Sequence, residues 1–188
     1  MKRYLALLLL LALSACVSIK KVEQGENRVG ERMSVNLVGP WNHLDFPAIR
    51  PAQLWTMEGR SVDEFLIYSG IRDGQAMHPE MGGGKENIRF RSAMQTEDLL
   101  PMFEAVLSRE GATFKLLKLE PYRLGGRPGI RFEYERIRKQ DNVIQRGLGF
   151  AAVDRGELFA LVYHAPRLTF FPRHQATVEG IARDAQIY

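Results

Sequence analysis

The chain has 188 residues, a single cysteine and a formal net charge of +4. That length suits one domain with a full hydrophobic core. The charge is too mild for a nucleic-acid binder, and one cysteine leaves no disulfide within the chain.

Lys2 and Arg3 precede Leu5 to Leu13, which contains only Leu and Ala, and Ser14, Ala15 and Cys16 follow. A charged start, a short apolar run and a small-residue cleavage site make an export signal over residues 1–15. The apolar run is too short to cross a bilayer, which needs about 20 such residues. Leu13-Ser14-Ala15-Cys16 resembles the lipobox of bacterial lipoproteins. The resemblance implies cleavage before Cys16, a diacylglyceryl group on its sulfur and an acyl chain on the new amino terminus. Val17 stands where an Asp would be associated with inner-membrane retention, so the same resemblance implies an outer-membrane lipoprotein facing the periplasm. The mature chain would have 173 residues (188 − 15) and a charge of +2, Lys2 and Arg3 being lost. Residues 16–32 read as lipidated Cys16 with a polar, flexible tether, and 33–188 as a single α+β domain.

Within the domain, Met33 to Val38 alternates and reads as a first strand, ended by Gly39-Pro40. Trp41 to Pro51 carries two further prolines and reads as an irregular edge segment. Leu54 to Met57 and Phe65 to Tyr68 are short strands joined by the turn Glu58 to Ser61. Residues 72–91 are polar and Gly-rich, a long loop. A helix follows, with Leu100, Phe103, Val106 and Leu107 on one face and Asp98 as the favoured cap, because Pro101 belongs in a first turn. Thr113 to Leu119 is a strand, and Gly125 to Gly129 is a turn. Ile130 to Glu135 alternates, so Ile130, Phe132 and Tyr134 should be buried while Arg131, Glu133 and Glu135 stay wet. Ile144 to Val153 and Leu158 to Ala165 are two more strands, turned at Asp154-Arg155-Gly156. The last of these is continuously apolar and should be an interior strand covered on both faces. Pro172 to Asp184 is a terminal helix with Phe171, His174, Val178 and Ile181 on one side. Consecutive hairpins mean an antiparallel sheet, and a strand buried on both faces implies helices on both faces, an α/β/α sandwich.

This order resembles the PsbP-like superfamily over about Met33 to Tyr188. The resemblance is carried by the helix before the last four strands, the Gly125 to Gly129 turn, the final strand ending Tyr163-His164-Ala165-Pro166 and the closing amphipathic helix. Ile67 to Gly74 and Ala165-Pro166-Arg167 also look like uncharacterised exported bacterial proteins of this kind. Superfamily members include a photosystem accessory protein and a nuclear-transport factor that binds a small GTPase, both non-enzymatic binding modules. The resemblance implies a fold and a habit of binding proteins, by analogy.

Few constellations point to chemistry. Gly82-Gly83-Gly84-Lys85-Glu86 lacks the spaced glycine and the Ser or Thr of a phosphate loop. His78 and Glu80 could supply two metal ligands, with His43, His164 or His174 as a third, but no metal-binding spacing frames them, and His78 reads as a loop histidine. His164 shares a strand face with Leu158, Ala160 and Val162 and reads as a structural histidine, since no nucleophile elbow accompanies Ser69 or Asp73. Arg72, Arg89, Arg91, Arg123, Arg127, Arg131, Arg136 and Arg138 could meet anionic groups. Interspersed Glu120, Glu133 and Glu135 make a mixed, solvated face the preferred reading. Trp41, Phe46 and Trp55 could form a patch for a partner, with core packing the default.

No catalytic residue, cofactor or metal is therefore expected, and Cys16 is the one assigned site. The expected function is a non-enzymatic binding or accessory module, anchored to the envelope membrane and serving a protein partner there. The alternatives are a hydrolase or metal-dependent enzyme using the 72–91 loop, or a carrier of a small apolar ligand.

Overall fold

The computed structural model describes residues 18–78 and 87–188. The export signal, Cys16, Glu80 and the Gly82 to Gly84 run lie outside the described residues.

Eight strands form one antiparallel sheet: β1 (Ser18–Val22), β4 (Trp41–Asp45), β5 (Gln53–Thr56), β6 (Glu64–Ile71), β7 (Thr113–Leu124), β8 (Arg127–Ile137), β9 (Ile144–Asp154) and β10 (Glu157–Pro166). Their spatial order is β1-β4-β5-β6-β10-β9-β8-β7. A smaller sheet pairs β2 (Gly25–Arg28), β3 (Met33–Leu37) and β11 (Gln186–Ile187) in the order β11-β3-β2. The two α-helices among the described residues are α1 (Thr96–Leu107) and α2 (Phe170–Asp184).

The apolar run Leu158 to Ala165 lies inside the large sheet, with β6 on one side and β9 on the other. Its side chains divide between two buried clusters, as alternation along a strand requires. Leu158, Ala160 and Val162 are buried with Leu99, Met102, Phe103 and Leu107 of α1. Phe159, Leu161 and Tyr163 are buried with Phe171, Val178 and Ile181 of α2, and with Met33, Val35 and Leu37 of the small sheet.

Five expectations are corrected. Residues 18–28, read as tether, contribute β1 and β2. Only Val22 of β1 is partly buried, against the core, and Ile19 is 66% exposed, so its composition matches that of a linker while its backbone pairs with β4. Trp41 to Asp45 is a paired strand between β1 and β5 rather than an edge segment, and Trp41 and Trp55 are buried in the core. Helix α1 is capped at Gln95, whose N–H donates to Asp98 Oδ2 at 2.8 Å, so Asp98 sits three residues inside the cap. Pro101 is then the sixth helical residue. The carbonyl it leaves without a donor belongs to exposed Glu97, where water can serve. Finally, Arg131 and Glu133 are each only 9% exposed. They can be buried because Arg131 pairs with Glu120, Glu133 and Glu179 of α2, and Glu133 also with Arg146.

The end of the chain is stitched to its beginning. Gln186 and Ile187 pair with Ser34 and Met33, and the Tyr188 hydroxyl bonds Ser34 Oγ at 2.7 Å and Glu26 Oε1 at 3.0 Å.

Candidate functional site

Beyond Leu107, where α1 stops, the sheet face carrying Tyr68, Tyr134 and His164 opens into a cleft of about 560 Å³. The strand ends Glu64, Pro166, Ile144 and Ile137 gather there. Around the opening stand the turn carrying Arg60 and Ser61, the turn carrying Arg138 to Asp141, and Arg109 just past α1.

The cleft floor follows from register. Glu64 pairs with His164, His164 with Gly147, and Gly147 with Tyr134. Directly paired residues in an antiparallel sheet point to the same face, so these four positions form one row across four strands. Gly147 contributes no side chain to it, and the Tyr134 ring lies in the vacated space: a Cβ at Gly147 would stand 2.2 Å from Tyr134 Cζ. The Tyr134 hydroxyl thereby reaches His164 Nδ1 at 3.1 Å across the intervening strand, while His164 Nε2 meets Glu64 Oε2 at 3.1 Å. Phe114 stacks on the outer side of the Tyr134 ring, with centroids 5.2 Å apart.

Proton positions in this row follow from charge. Burial works against ionisation of Glu64, but the His164 hydrogen bond and nearby Arg60 and Arg136 hold its carboxyl below the usual range. An ionised carboxylate only accepts, so His164 Nε2–H donates to Glu64 and Nδ1 accepts from the Tyr134 hydroxyl. Burial holds His164 below the usual histidine range, in its neutral form, against the favourable pull of Glu64. The same burial pushes the Tyr134 hydroxyl far up, so it stays protonated as a donor.

A second row lies one step nearer the opening. Arg136 and Gln145 are direct register partners on β8 and β9. Gln145 is 2% exposed, and its Oε1 is buried without a hydrogen-bond partner, as is Arg136 Nε. Arg136 Nη1 stands 3.5 Å from His164 Nε2, an atom that already carries a proton in the tautomer above. At the rim, Arg60 pairs with Glu64 at 3.3 Å, and Arg138 holds Asp141 through Nε at 2.9 Å and Nη2 at 2.6 Å.

The expected site residues are placed as follows. His78 and His164 both line the cleft, with His78 against Arg109. Among the described residues no three or more His, Cys, Asp or Glu side chains gather as a metal site. His174 is instead tied to Glu58 Oε1 at 2.9 Å. Arg131 is buried in its own ion-pair cluster, and Arg127 faces Asp154 at 3.2 Å, so the arginines do not form one common surface. Sequence reasoning did not single out Glu64, Tyr134, Gly147 or Gln145 as site residues. A signal was present in Gly147 and Gly149, alternate positions of one strand that leave room for large rings across the ladder. A Cβ at Gly149 would stand 2.0 Å from Phe132 Cζ.

No family model matches the chain, and no curated protein matches it. Among solved structures, the solution structure of cyanobacterial PsbP (CyanoP) from Synechocystis sp. is similar, with a TM-score of 0.57 and 12% identity, covering 94% of this chain and 96% of that one. The chain thus has a PsbP-like fold: a mostly antiparallel sheet with two helices. LpqN of Mycobacterium tuberculosis, described as involved in cell envelope biogenesis, aligns with a TM-score of 0.36 and 10% identity over 93% of this chain and 87% of that one. That likeness is too distant to carry anything further.

Proposed function

We propose that this protein is a lipid-anchored module of the bacterial envelope that binds a ligand or partner in its cleft without transforming it. The observation that carries the reading is the closed hydrogen-bond row on the cleft floor. Both ring nitrogens of His164 are committed to Tyr134 and Glu64. Among the described residues no Ser, Thr or Cys side chain hydrogen-bonds it, so the row holds a surface in place rather than activating a nucleophile. In this reading the fold is an α/β/α sandwich with one helix over each face, supported by the separate buried clusters that α1 and α2 share with β10.

Anchoring is read from Leu13 to Cys16. None of the helices among the described residues is long and apolar enough to cross a membrane. Cys16 stands two residues before β1, which enters the sheet at the end away from the cleft, since Val22 and Trp41 are its register positions closest to Thr56 and Glu64. A bilayer attached at Cys16 therefore leaves the cleft turned toward the periplasm. Outer-membrane placement rests on Val17.

The enzyme alternative draws on one observation, that His78 and His164 share the cleft. The test is a photo-crosslinking amino acid placed in the full-length lipoprotein at Lys139 on the cleft rim, or at Arg155 on the opposite end of the sheet. A discrete adduct from position 139 and none from 155 is expected. Equal labelling from both, or none from either in intact envelopes, overturns cleft binding.

A further inference from the structure

We propose that the cleft is an oxyanion site, in which the Arg136 guanidinium takes a carboxylate or phosphate group while Gln145 accepts a hydrogen bond from an N–H or O–H on the same ligand. This rests on reading the chain as a binding module and names the chemistry of what it binds.

Arg60, Arg109, Arg136, Arg138 and Lys139 line the cleft, against only two carboxylates, Glu64 and Asp141. Arg60 and Arg138 use both of these. Arg109 meets a ring nitrogen of His78. Arg136 has no carboxylate within ion-pair distance among the described residues, and its contact with His164 Nε2 faces a nitrogen that already donates to Glu64. A half-buried guanidinium is thus held on the cleft floor with its Nε buried and unpartnered.

Gln145 is an independent observation. It lies opposite Arg136 in the ladder and lines the cleft, almost wholly buried, with Oε1 unpartnered. Buried polar groups without partners are rare and costly, about 1–3 kcal/mol each. Two on adjacent strands, one cationic donor and one neutral acceptor, match an oxyanion with a donor beside it. The planar guanidinium fork can grip such a group through two parallel bonds. Glycerol 1-phosphate and N-acetylglycine both carry this pairing, an oxyanion next to O–H or N–H.

The experiment titrates glycerol 1-phosphate and, separately, N-acetylglycine into the whole lipidated chain in detergent micelles, at ionic strength held constant with sodium chloride. Binding is read by calorimetry and by the Arg136 Nε–H and Gln145 side-chain amide NMR signals. Saturable binding of at least one probe, with both signals shifting, is expected. Arg136→Gln should weaken it about 10-fold or more, equivalent to about 1.4 kcal/mol, and Arg136→Lys less. The wild-type signals report on the site even if a variant fails to fold. Absence of binding by both probes, or equal weakening by Arg155→Gln at the opposite end of the sheet, overturns the oxyanion site and leaves the crosslinking result to judge the binding module. Release of phosphate from bound glycerol 1-phosphate leaves the oxyanion site standing and overturns the non-catalytic reading.

Discussion

Gly147 lies beneath the ring of Tyr134, and the missing side chain lets a hydroxyl on β8 reach a histidine two strands away on β10. A methyl group at position 147 would overlap the ring carbons, with Cβ 2.5 Å from Cε1 and 2.6 Å from the hydroxyl oxygen. The ring must then move and the bond to His164 must break.

Gly147→Ala should therefore destabilise the domain by about 1–3 kcal/mol, the usual range for overpacking. Tyr134→Phe should cost a similar amount, about 1–3 kcal/mol, because it leaves His164 Nδ1 buried without a donor. The double variant should cost clearly less than the sum, since both changes break one bond. Urea unfolding of the four proteins checks this, and full additivity would show that the ring and the glycine act independently.

Stability should fall as the solution is acidified below about pH 6.5. His164 and His43 are both held below the ordinary histidine value of 6.5, each chiefly by burial. A group whose pKa is lowered by folding stabilises the fold fully above its unfolded value. That contribution is lost as the pH falls through the folded value, because the unfolded chain takes up the proton more readily. His164→Asn should flatten the pH dependence below about pH 6.5, leaving the His43 part. Glu58, held low by His174 and Arg173, acts in a separate window below its ordinary value of 4.5. Urea midpoints across the pH range resolve the two.

The buried charge cluster on the α2 side should be strongly non-additive. Arg131→Leu alone leaves Glu133 and Glu179 without their shared partner and should cost about 3 kcal/mol or more. Combining it with Glu133→Leu removes one of the two carboxylates left without Arg131 and should recover part of that loss. Thermal unfolding is a sufficient readout, because 1 kcal/mol moves the midpoint by about 2–4 °C in a chain of this size.

Cys16→Ser should abolish lipidation and processing by the lipoprotein peptidase. Intact-mass analysis of the wild-type chain should show an acylated Cys16 as its first residue. An unmodified Cys16, or cleavage at another bond, would remove the anchor from the proposed function.

The parts of the fold legible in the sequence were those where burial imposes a repeating pattern. Ile130, Phe132 and Tyr134 are buried as alternation required, and Leu158 to Ala165 runs between two neighbours. Strand β1 was illegible because Lys20 and Lys21 at an uncovered edge compose a strand and a linker alike. Arg131 and Glu133 were misplaced because a polar pattern on one strand says nothing of a helix arriving from residue 179 with a matching carboxylate. His164 reads from the sequence as a structural histidine, but its partners Glu64 and Tyr134, 100 and 30 residues away in the chain, were not legible there. Such pairings depend on strand register, which local composition does not reveal.

The pairing of Ile187 with Met33 bears on the order in which the protein can fold. Strand β3 emerges early in synthesis, yet β11 must wait for almost the entire chain. Contacts so distant in sequence close slowly, because most of the loop entropy is lost before they form. The small sheet should therefore be completed last, and a nascent chain stopped short of Gln186 would hold β2 and β3 with the β3 edge that β11 covers still open to other strands.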